Sequence, residues 1–175
     1  ACTAVLALSE DLKPQLLDMG ICEVLLPLTD SPSIEVQGNS AAALGNLSSK
    51  ADDYAPFNAV WDKPAGGLHG YLVRFLESED TTFQHIAVWT LIQLLESGNH
   101  ELEQHIRDSP HLLDLVRQLQ SRIGTFESEH EQADTSTAAD TSGQDVSPER
   151  EIAALSRRIE EILFEESDDG TSDAK

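Results

Sequence analysis

Cysteine and methionine are scarce in this chain, which has two cysteines and one methionine in 175 residues. Cys2 and Cys22 form neither a CxxC pair nor any other metal-binding spacing. We expect both to be reduced thiols that pack as small apolar groups. The cysteine content therefore does not favour a disulfide scaffold or a zinc module.

Basic residues are few, with 11 Lys and Arg against 32 Asp and Glu, so the formal net charge is −21. Nucleic acid and anionic lipid surfaces would be repelled by such a chain. Long apolar runs are absent too, since no stretch approaches the roughly 18 apolar residues that span a bilayer. Strand-like alternation is also missing. Composition therefore argues against nucleic-acid partners and against direct membrane binding.

Catalytic and metal-binding motifs are missing as well. His100 and His105 resemble a zinc-protease pair but lie five residues apart, which turns the second ring about 140° from the first on a helix. Acidic pairs such as Asp52 and Asp53 lack a neighbouring apolar frame that would shift a pKa. Glycine-rich phosphate loops and nucleophile elbows do not occur. We predict that the chain is not an enzyme and holds no metal or cofactor.

An internal repeat is the main positive signal. The segment Ser40–Ser48 has Leu44 and Leu47 at positions that Leu91 and Leu94 take 47 residues later. An earlier copy begins the chain, with Val5 and Leu8 at the same positions 39 residues before. Self-similarity at about 40 to 47 residues, with helical spacing inside each copy, is typical of a stacked helical solenoid.

A second pattern repeats with the same offset. Residues 25–37 align with residues 72–84, again 47 apart, and residues 109–119 form a partial third copy. Each unit reads as a short helix, a second helix and a longer third helix, which is the order of the armadillo unit. We predict an all-α, armadillo-type right-handed α-solenoid with about two full repeats plus partial terminal units.

Residues that start or end helices lie at the expected boundaries. Gly20 tolerates the turn before a second helix. Ser31 and Ser109, each followed by proline, offer an N-cap hydroxyl before the first helical position. Thr81 and Gln84 have the spacing of a capping box.

Composition divides the chain further. Residues 1–122 hold the repeats, and because the chain starts inside a third-helix copy we expect them to be the C-terminal end of a longer array. Residues 123–147 are predicted to be a disordered acidic linker, without Lys or Arg from Gly124 onward. Residues 148–166 are predicted to form an amphipathic helix, and 167–175 a disordered tail.

The last unit leaves an open question. It supplies two candidate helices, roughly 99–107 and 110–122, but no third helix follows directly. The helix at 148–166 has an apolar face that runs from Ile152 to Leu163. One hypothesis is that it folds back to cover the end of the array, and the other is that it stays free to meet a partner.

The third-helix copies resemble the armadillo pattern of importin-alpha and beta-catenin proteins, in which an aromatic residue and an asparagine four positions later line a concave groove. Trp89 and Gln93 hold those positions in one unit, and Ala42 and Asn46 in the other. His85 lies one turn before Trp89. The resemblance implies a groove that binds extended protein segments, with amides on the peptide backbone and aromatic faces around its side chains.

Structural roles compete with this interpretation. Trp89 fits an ordinary core position on an apolar stripe, and Asn46 fits a helix cap or an amide paired to a nearby turn. His85 is more simply explained as a structural histidine. With Ala42 in place of an aromatic residue, the main peptide-binding part of the groove would lie upstream.

A closer resemblance is to the last repeats of the fungal vacuolar armadillo-repeat proteins, carried by Trp61-Asp62-Lys63-Pro64 and by residues 70–76 and 83–97. It implies a non-catalytic scaffold on the cytosolic face of the vacuole membrane. Such a scaffold would be held there by N-terminal acylation upstream of this sequence. It would serve vacuole inheritance, vacuole fusion, nucleus–vacuole contacts and selective autophagy through protein partners.

Two other functions stay open. The first alternative is a soluble armadillo cargo adaptor of the nuclear-transport type. A further possibility is an armadillo domain attached to an enzyme such as a ubiquitin ligase, which would need a catalytic domain upstream.

The connection from Ser49 to Pro64 is longer than a usual turn. We interpret it as a loop followed by a short first helix, with Trp61 buried in the next unit. An exposed, partner-binding Trp61 is the alternative.

Overall fold

The structure is a computed structural model that describes residues 9–131 and 148–165. Within these ranges the chain forms nine α-helices and no strand, so the predicted all-α class is confirmed. In chain order the helices are α1 (Lys13–Asp18), α2 (Ile21–Leu28), α3 (Ile34–Ser48), α4 (Ala55–Ala59), α5 (Gly67–Glu77), α6 (Thr81–Leu95), α7 (His100–Arg107), α8 (Pro110–Glu131) and α9 (Pro148–Glu165).

The helices form three units of three, which are α1–α3, α4–α6 and α7–α9. In each unit the second helix packs against the third. The second helices of successive units pack against each other, as do the third helices, and α4 packs against α7. The third helices α3, α6 and α9 thus lie in a row with α6 in the middle. Stacking of equivalent helices from successive units is the architecture of an α-solenoid, as predicted.

Repeated leucines fill equivalent places in the core. Leu44 and Leu47 of α3 are fully buried, and so are Leu91 and Leu94 of α6. The first copy, with Leu8, lies outside the described residues. Each buried leucine stabilises the fold by about 1.5–3 kcal/mol, so the repeated spacing marks the face on which each third helix packs.

Trp61 is buried, with 5% of its surface exposed. Its ring stacks on His105 of α7, with centroids 5.1 Å apart and planes 11° apart. The indole therefore links the second unit to the first helix of the third unit. The structure agrees with the buried interpretation and not with an exposed binding loop.

Helix starts differ in detail from the predicted caps. Asp80, and not Thr81, is the N-cap of α6, because its carboxylate accepts hydrogen bonds from the backbone N–H groups of Thr82 and Phe83. The Gln84 side chain donates to the carbonyl of Ser78 rather than closing a capping box. Asp and Thr are both good caps, and the extended backbone at Asp80 decides between them.

The two Ser-Pro sites also behave differently from the prediction. Helix α3 begins at Ile34 with Ser33 as its N-cap, so Ser31 lies before the helix, where its Oγ accepts from the Ser33 N–H at 3.2 Å. Ser109 does precede α8, but its hydroxyl donates to the carbonyl of His105 at 2.8 Å. By contrast, Gly20 has φ 73° at the start of α2, as a turn glycine should.

Helix α9 is the third helix of the last unit. It packs against α6 and α8, which is the place that α3 and α6 occupy in their own units. Of the two hypotheses for this helix, the structure therefore shows the docked one. The α9 residues buried in the core are Ile152, Ala153, Ser156, Ile159 and Leu163.

The region between the last two helices was predicted to be a linker from residue 123. Helix α8 continues to Glu131, and residues 132–147 of the proposed linker lie outside the described residues. So do residues 166–175, which include the proposed tail.

Candidate peptide-binding face

The three third helices run in the same direction. Along α3 and α6, a Cβ on Gly38 would meet the Phe83 ring, and a Cβ on Gly45 would meet the Trp89 ring. Residue numbers therefore increase in the same direction along both helices, so α3 and α6 are parallel. Along α6 and α9, His85 Nε2 lies 3.2 Å from Glu151 and Glu96 lies 3.5 Å from Arg158 Nε, which again means parallel helices.

The five predicted groove residues all lie at the surface of these helices. Each is partly buried, neither in the core nor fully exposed: Ala42, Asn46, His85, Trp89 and Gln93. On α6 the last three follow each other at four-residue steps, so they form one stripe along the helix.

Trp89 has a double role. One edge of its ring packs over Gly45 of α3, where a methyl group would come within 2.6 Å of Cζ3. The rest of the side chain is only partly covered. Trp89 therefore lies between two third helices with part of its ring facing outward, which is more exposed than the core position considered as its alternative.

Asn46 is a residue of the helix interior. Helix α3 ends at Ser48 and its C-cap is Ser49, so Asn46 is not a capping residue. It lies one turn after Ala42, as Gln93 lies one turn after Trp89. The two amides are thus at corresponding positions of adjacent parallel helices.

His85 contributes to helix docking. Its Nε2 faces Glu151 of α9 at 3.2 Å, and about 30% of its side chain is exposed. This distance places the N-terminal parts of α6 and α9 side by side, although the geometry at His85 Nε2 is not that of a hydrogen bond. This position favours the structural interpretation of His85 over a free groove residue.

Helix α9 adds a third row of residues that the sequence analysis did not include. Its buried Ile152, Ala153 and Ile159 match Ala87, Val88 and Leu94 of α6. In that register Ala154 stands in the place of Trp89, and Arg158 in the place of Gln93. The register across residues 132–147 could not be read from spacing, because the earlier copies are 47 residues apart or fewer.

The added row is charged. Arg158 Nε lies 3.5 Å from Glu96 of α6, and its Nη1 lies 3.4 Å from Glu161. All three side chains are about half exposed, at 46–49%. Exposed ion pairs of this type stabilise the fold little. Arg158, Glu96 and Glu161 together carry one net negative charge.

Other sites were considered across the described ranges. They contain no group of three or more His, Cys, Asp or Glu placed to hold a metal ion. His100 lies 4.0 Å from Glu103, while His105 stacks on Trp61, so the two histidines point to different surroundings. In the same ranges no helix is both long and apolar enough to cross a bilayer.

A cleft of about 760 Å³ lies between the second helices α5 and α8. Its walls carry Glu77, Asp114, Arg117 and Arg122, among others. Arg117 lies 3.1 Å from Asp114, and Glu77 lies 3.0 Å from His111. Arg122 donates to Gln84 Oε1 at 3.4 Å. Each of these charged side chains thus has a partner in or beside the cleft, and the cleft is explained by packing between units.

Comparison with known proteins identifies the repeat. The family model for Armadillo/beta-catenin-like repeats matches residues 9–49, which contain the whole of the first three-helix unit, α1–α3. The chain contains an armadillo repeat. The second and third units have the same helix order and the same packing, so this description extends to them.

Fungal proteins named Vacuolar protein 8 are similar over most of the chain. Vacuolar protein 8 of Schizosaccharomyces pombe is 62% identical over 122 residues, which is 70% of this chain and 22% of that protein. Vacuolar protein 8 of Gibberella zeae is 50% identical over 163 residues, which is 93% of this chain and 27% of that protein. Vacuolar protein 8 of Saccharomyces cerevisiae is 44% identical over 119 residues, which is 68% of this chain and 21% of that protein. The resemblance to fungal vacuolar armadillo proteins is confirmed.

The chain spans about a quarter of the length of these relatives. The similarity to the Gibberella protein covers 163 residues, more than the 123 residues from 9 to 131 in which α1–α8 lie.

Proposed function

We propose that the chain is part of a non-catalytic protein-interaction scaffold that acts on the cytosolic face of the vacuole membrane. The relatives named Vacuolar protein 8, at 44–62% identity, support the vacuolar assignment. They favour it over the nuclear-transport adaptor. In this proposal the partners are proteins, and nucleic acid is not bound, because the net charge of −21 repels it.

The binding mode we propose is an extended peptide held across the third helices. The observation that carries this proposal is that Asn46 and Gln93 take corresponding positions on adjacent parallel helices, near the partly exposed ring of Trp89. Amide side chains can donate to and accept from a peptide backbone. An aromatic face adds apolar contact for one peptide side chain.

Peptide selection tests the binding mode. The immobilised chain would be panned against a display library of random twelve-residue peptides, and enriched peptides would be measured by fluorescence anisotropy. The Asn46→Ala, Trp89→Ala double variant should weaken their binding about tenfold or more, since lost interface contacts of this kind cost about 1–2 kcal/mol each. Gln118→Ala on α8 removes an exposed amide away from this face and is the matched control.

The test has a clear negative result. If the double variant keeps its circular dichroism spectrum and binds the peptides as the wild type does, the groove proposal is wrong. If the control weakens binding equally, the peptides bind another surface and the proposal also fails.

Cell imaging tests the location. A fluorescent tag placed on the natural reading frame that contains this sequence should mark the vacuole rim in living fungal cells. Accumulation in the nucleus would contradict the vacuolar assignment and support the transport alternative.

A further inference from the structure

Histidines are unevenly distributed along the array. All six lie at position 69 or later in the chain, so the first three-helix unit contains none. Two of them, His85 and His111, meet a carboxylate of the neighbouring unit across one boundary, which is the boundary between the second and third units. At the boundary between the first and second units, Arg74 of α5 lies 3.9 Å from Asp30 instead.

The two histidine contacts are reciprocal. His85 Nε2, on α6 of the second unit, lies 3.2 Å from Glu151 Oε2 on α9 of the third. His111 Nε2, on α8 of the third unit, lies 3.0 Å from Glu77 Oε1 on α5 of the second. Each unit therefore supplies one imidazole and one carboxylate. One contact joins the third helices and the other joins the second helices, so the boundary is bridged in two layers.

The environment of His85 makes its protonation state matter. Its Nε2 atom is buried and has no hydrogen-bond partner among the residues that the structure describes, although it faces the Glu151 carboxylate. An unprotonated ring nitrogen and a carboxylate oxygen are both acceptors, whereas a protonated ring is a cation with a donor on each nitrogen. His111 is more exposed, at 62%, and so is more weakly affected by its carboxylate.

Other polar contacts in these two layers involve groups whose charge is constant from pH 5.5 to 8. Arginine stays protonated and glutamate and aspartate stay ionised over this range. These contacts are Arg117 with Asp114 and Glu160, Arg158 with Glu96, and Arg122 with Gln84. Within these contacts the two imidazoles are therefore the groups that change charge.

The first-helix layer of the same boundary contains two more histidines around one indole. The rings of His105 and His69 lie 5.1 and 5.8 Å from the ring of Trp61. A charge on one of these rings is favoured by the indole face, but charges on both rings would repel each other. These opposing effects give this layer no definite sign, so the inference rests on the two histidine–glutamate contacts.

We propose that the boundary between the second and third units is a pH-sensitive joint that mild acid strengthens. Histidine gains its charge between pH 8 and pH 5.5, while glutamate remains ionised. Protonation of His85 and His111 turns both contacts into ion pairs, in the second-helix layer and in the third-helix layer at once. Their contribution to stability is present at pH 5.5 and is lost as the pH rises toward 8.

Urea unfolding of the full chain at pH 5.5 and pH 8 tests this proposal. The test variant is Glu77→Gln, Glu151→Gln, which removes both carboxylate charges from positions that are about half exposed and leaves the histidines in place. The variant-to-wild-type ratio of unfolding constants should be about threefold or more higher at pH 5.5 than at pH 8, since an exposed ion pair contributes about 1.5- to 5-fold. Equal ratios at the two pH values would overturn the proposal.

A charge-matched control separates the two contacts from a general effect of net charge. Glu23→Gln, Glu35→Gln makes the same change in net charge at exposed positions of the first unit, which has no histidine. Its ratio of unfolding constants to wild type should be the same at both pH values. A pH dependence equal to that of the test variant would assign the effect to overall charge and refute the joint.

A double-mutant cycle assigns the effect to the imidazole. His111→Gln is combined with Glu77→Gln, because His111 is exposed enough for the variant to fold. The two changes should be coupled about 1.5- to 5-fold at pH 5.5 and less at pH 8. The matched cycle of Arg74→Gln with Asp30→Asn joins permanently charged groups, so its coupling should not change with pH. Coupling of His111 to Glu77 that is absent, or equal at both pH values, would contradict the proposal.

Discussion

Two glycines of α3 face α6 with different clearance. A Cβ at Gly45 would lie 2.6 Å from Trp89 Cζ3 and 2.9 Å from Thr90 Oγ1. A Cβ at Gly38 would lie 3.5 Å from Phe83 Cε1, which is an ordinary contact. Since both glycines are inside the same helix, replacement by alanine changes helix propensity similarly at both, and the difference between the variants reports the packing of α3 on α6.

The magnitudes follow from this geometry. Gly38→Ala should raise the free energy of unfolding by about 0.5–1 kcal/mol, because alanine is the better helix former by that amount. Gly45→Ala has the same gain but forces the Trp89 ring or the helix to move, and overpacking costs about 1–3 kcal/mol. We expect Gly45→Ala to be less stable than wild type by about 1 kcal/mol and less stable than Gly38→Ala by about 2 kcal/mol.

Urea unfolding followed by circular dichroism measures both variants. Trp89→Ala, combined with Gly45→Ala in a double-mutant cycle, should relieve part of the loss because the clashing ring is gone. If Gly45→Ala stabilises the chain as much as Gly38→Ala does, Trp89 does not lie over α3. The row of third helices, and the face that depends on it, would then be refuted.

Three further outcomes are expected. Trp61→Ala should lower the free energy of unfolding by about 3–5 kcal/mol in urea titrations, and a loss below about 1 would contradict its burial against His105. Burial raises the pKa of Cys22 from 9.0 to about 12. The contribution of the buried neutral thiol to the free energy of unfolding should therefore be fully present below pH 9 and should be lost as the pH rises toward 12. At pH 8 the native chain should titrate fewer thiols with Ellman's reagent than the unfolded chain, and equal counts would refute this. Gly67→Ala should prevent folding, since φ is 62° and a Cβ would lie 2.3 Å from the Val60 carbonyl. Circular dichroism measures this, and a folded variant would show that this turn is misplaced.

Local spacing predicted the repeated parts of the fold well. Leu47 and Leu94 are 47 residues apart and both fully buried, because the same position on successive third helices faces the same core. The placement of Trp61 in the next unit also followed from sequence. A large aromatic residue beside a short helix has few ways to be covered in a stacked array.

Cap positions were predicted less well. The sequence pointed to Thr81, but Asp80 caps α6, and α3 begins at Ile34 rather than directly after Ser31. Neighbouring residues of suitable type compete for these positions. The choice depends on where the backbone turns from extended to helical, which is set by how the helix packs.

The candidate site was only partly visible in the sequence. Trp89, Gln93 and Asn46 could be chosen from repeat position alone, and the structure places them at the surface of adjacent helices. The proximity of His85 to Glu151 could not be predicted from repeat position. It joins residues 66 positions apart in the chain, on helices whose relative position no repeat spacing reveals.

The sequence alone determined the helical class, the order of helices within a unit and the residues that face the core, because apolar side chains at helical spacing are a local property of the chain. Only the tertiary structure decided that α9 completes the last unit, and that Gly45 accommodates the ring of Trp89. Both depend on shape and charge complementarity between segments distant in sequence, and that complementarity exists only once the helices have packed.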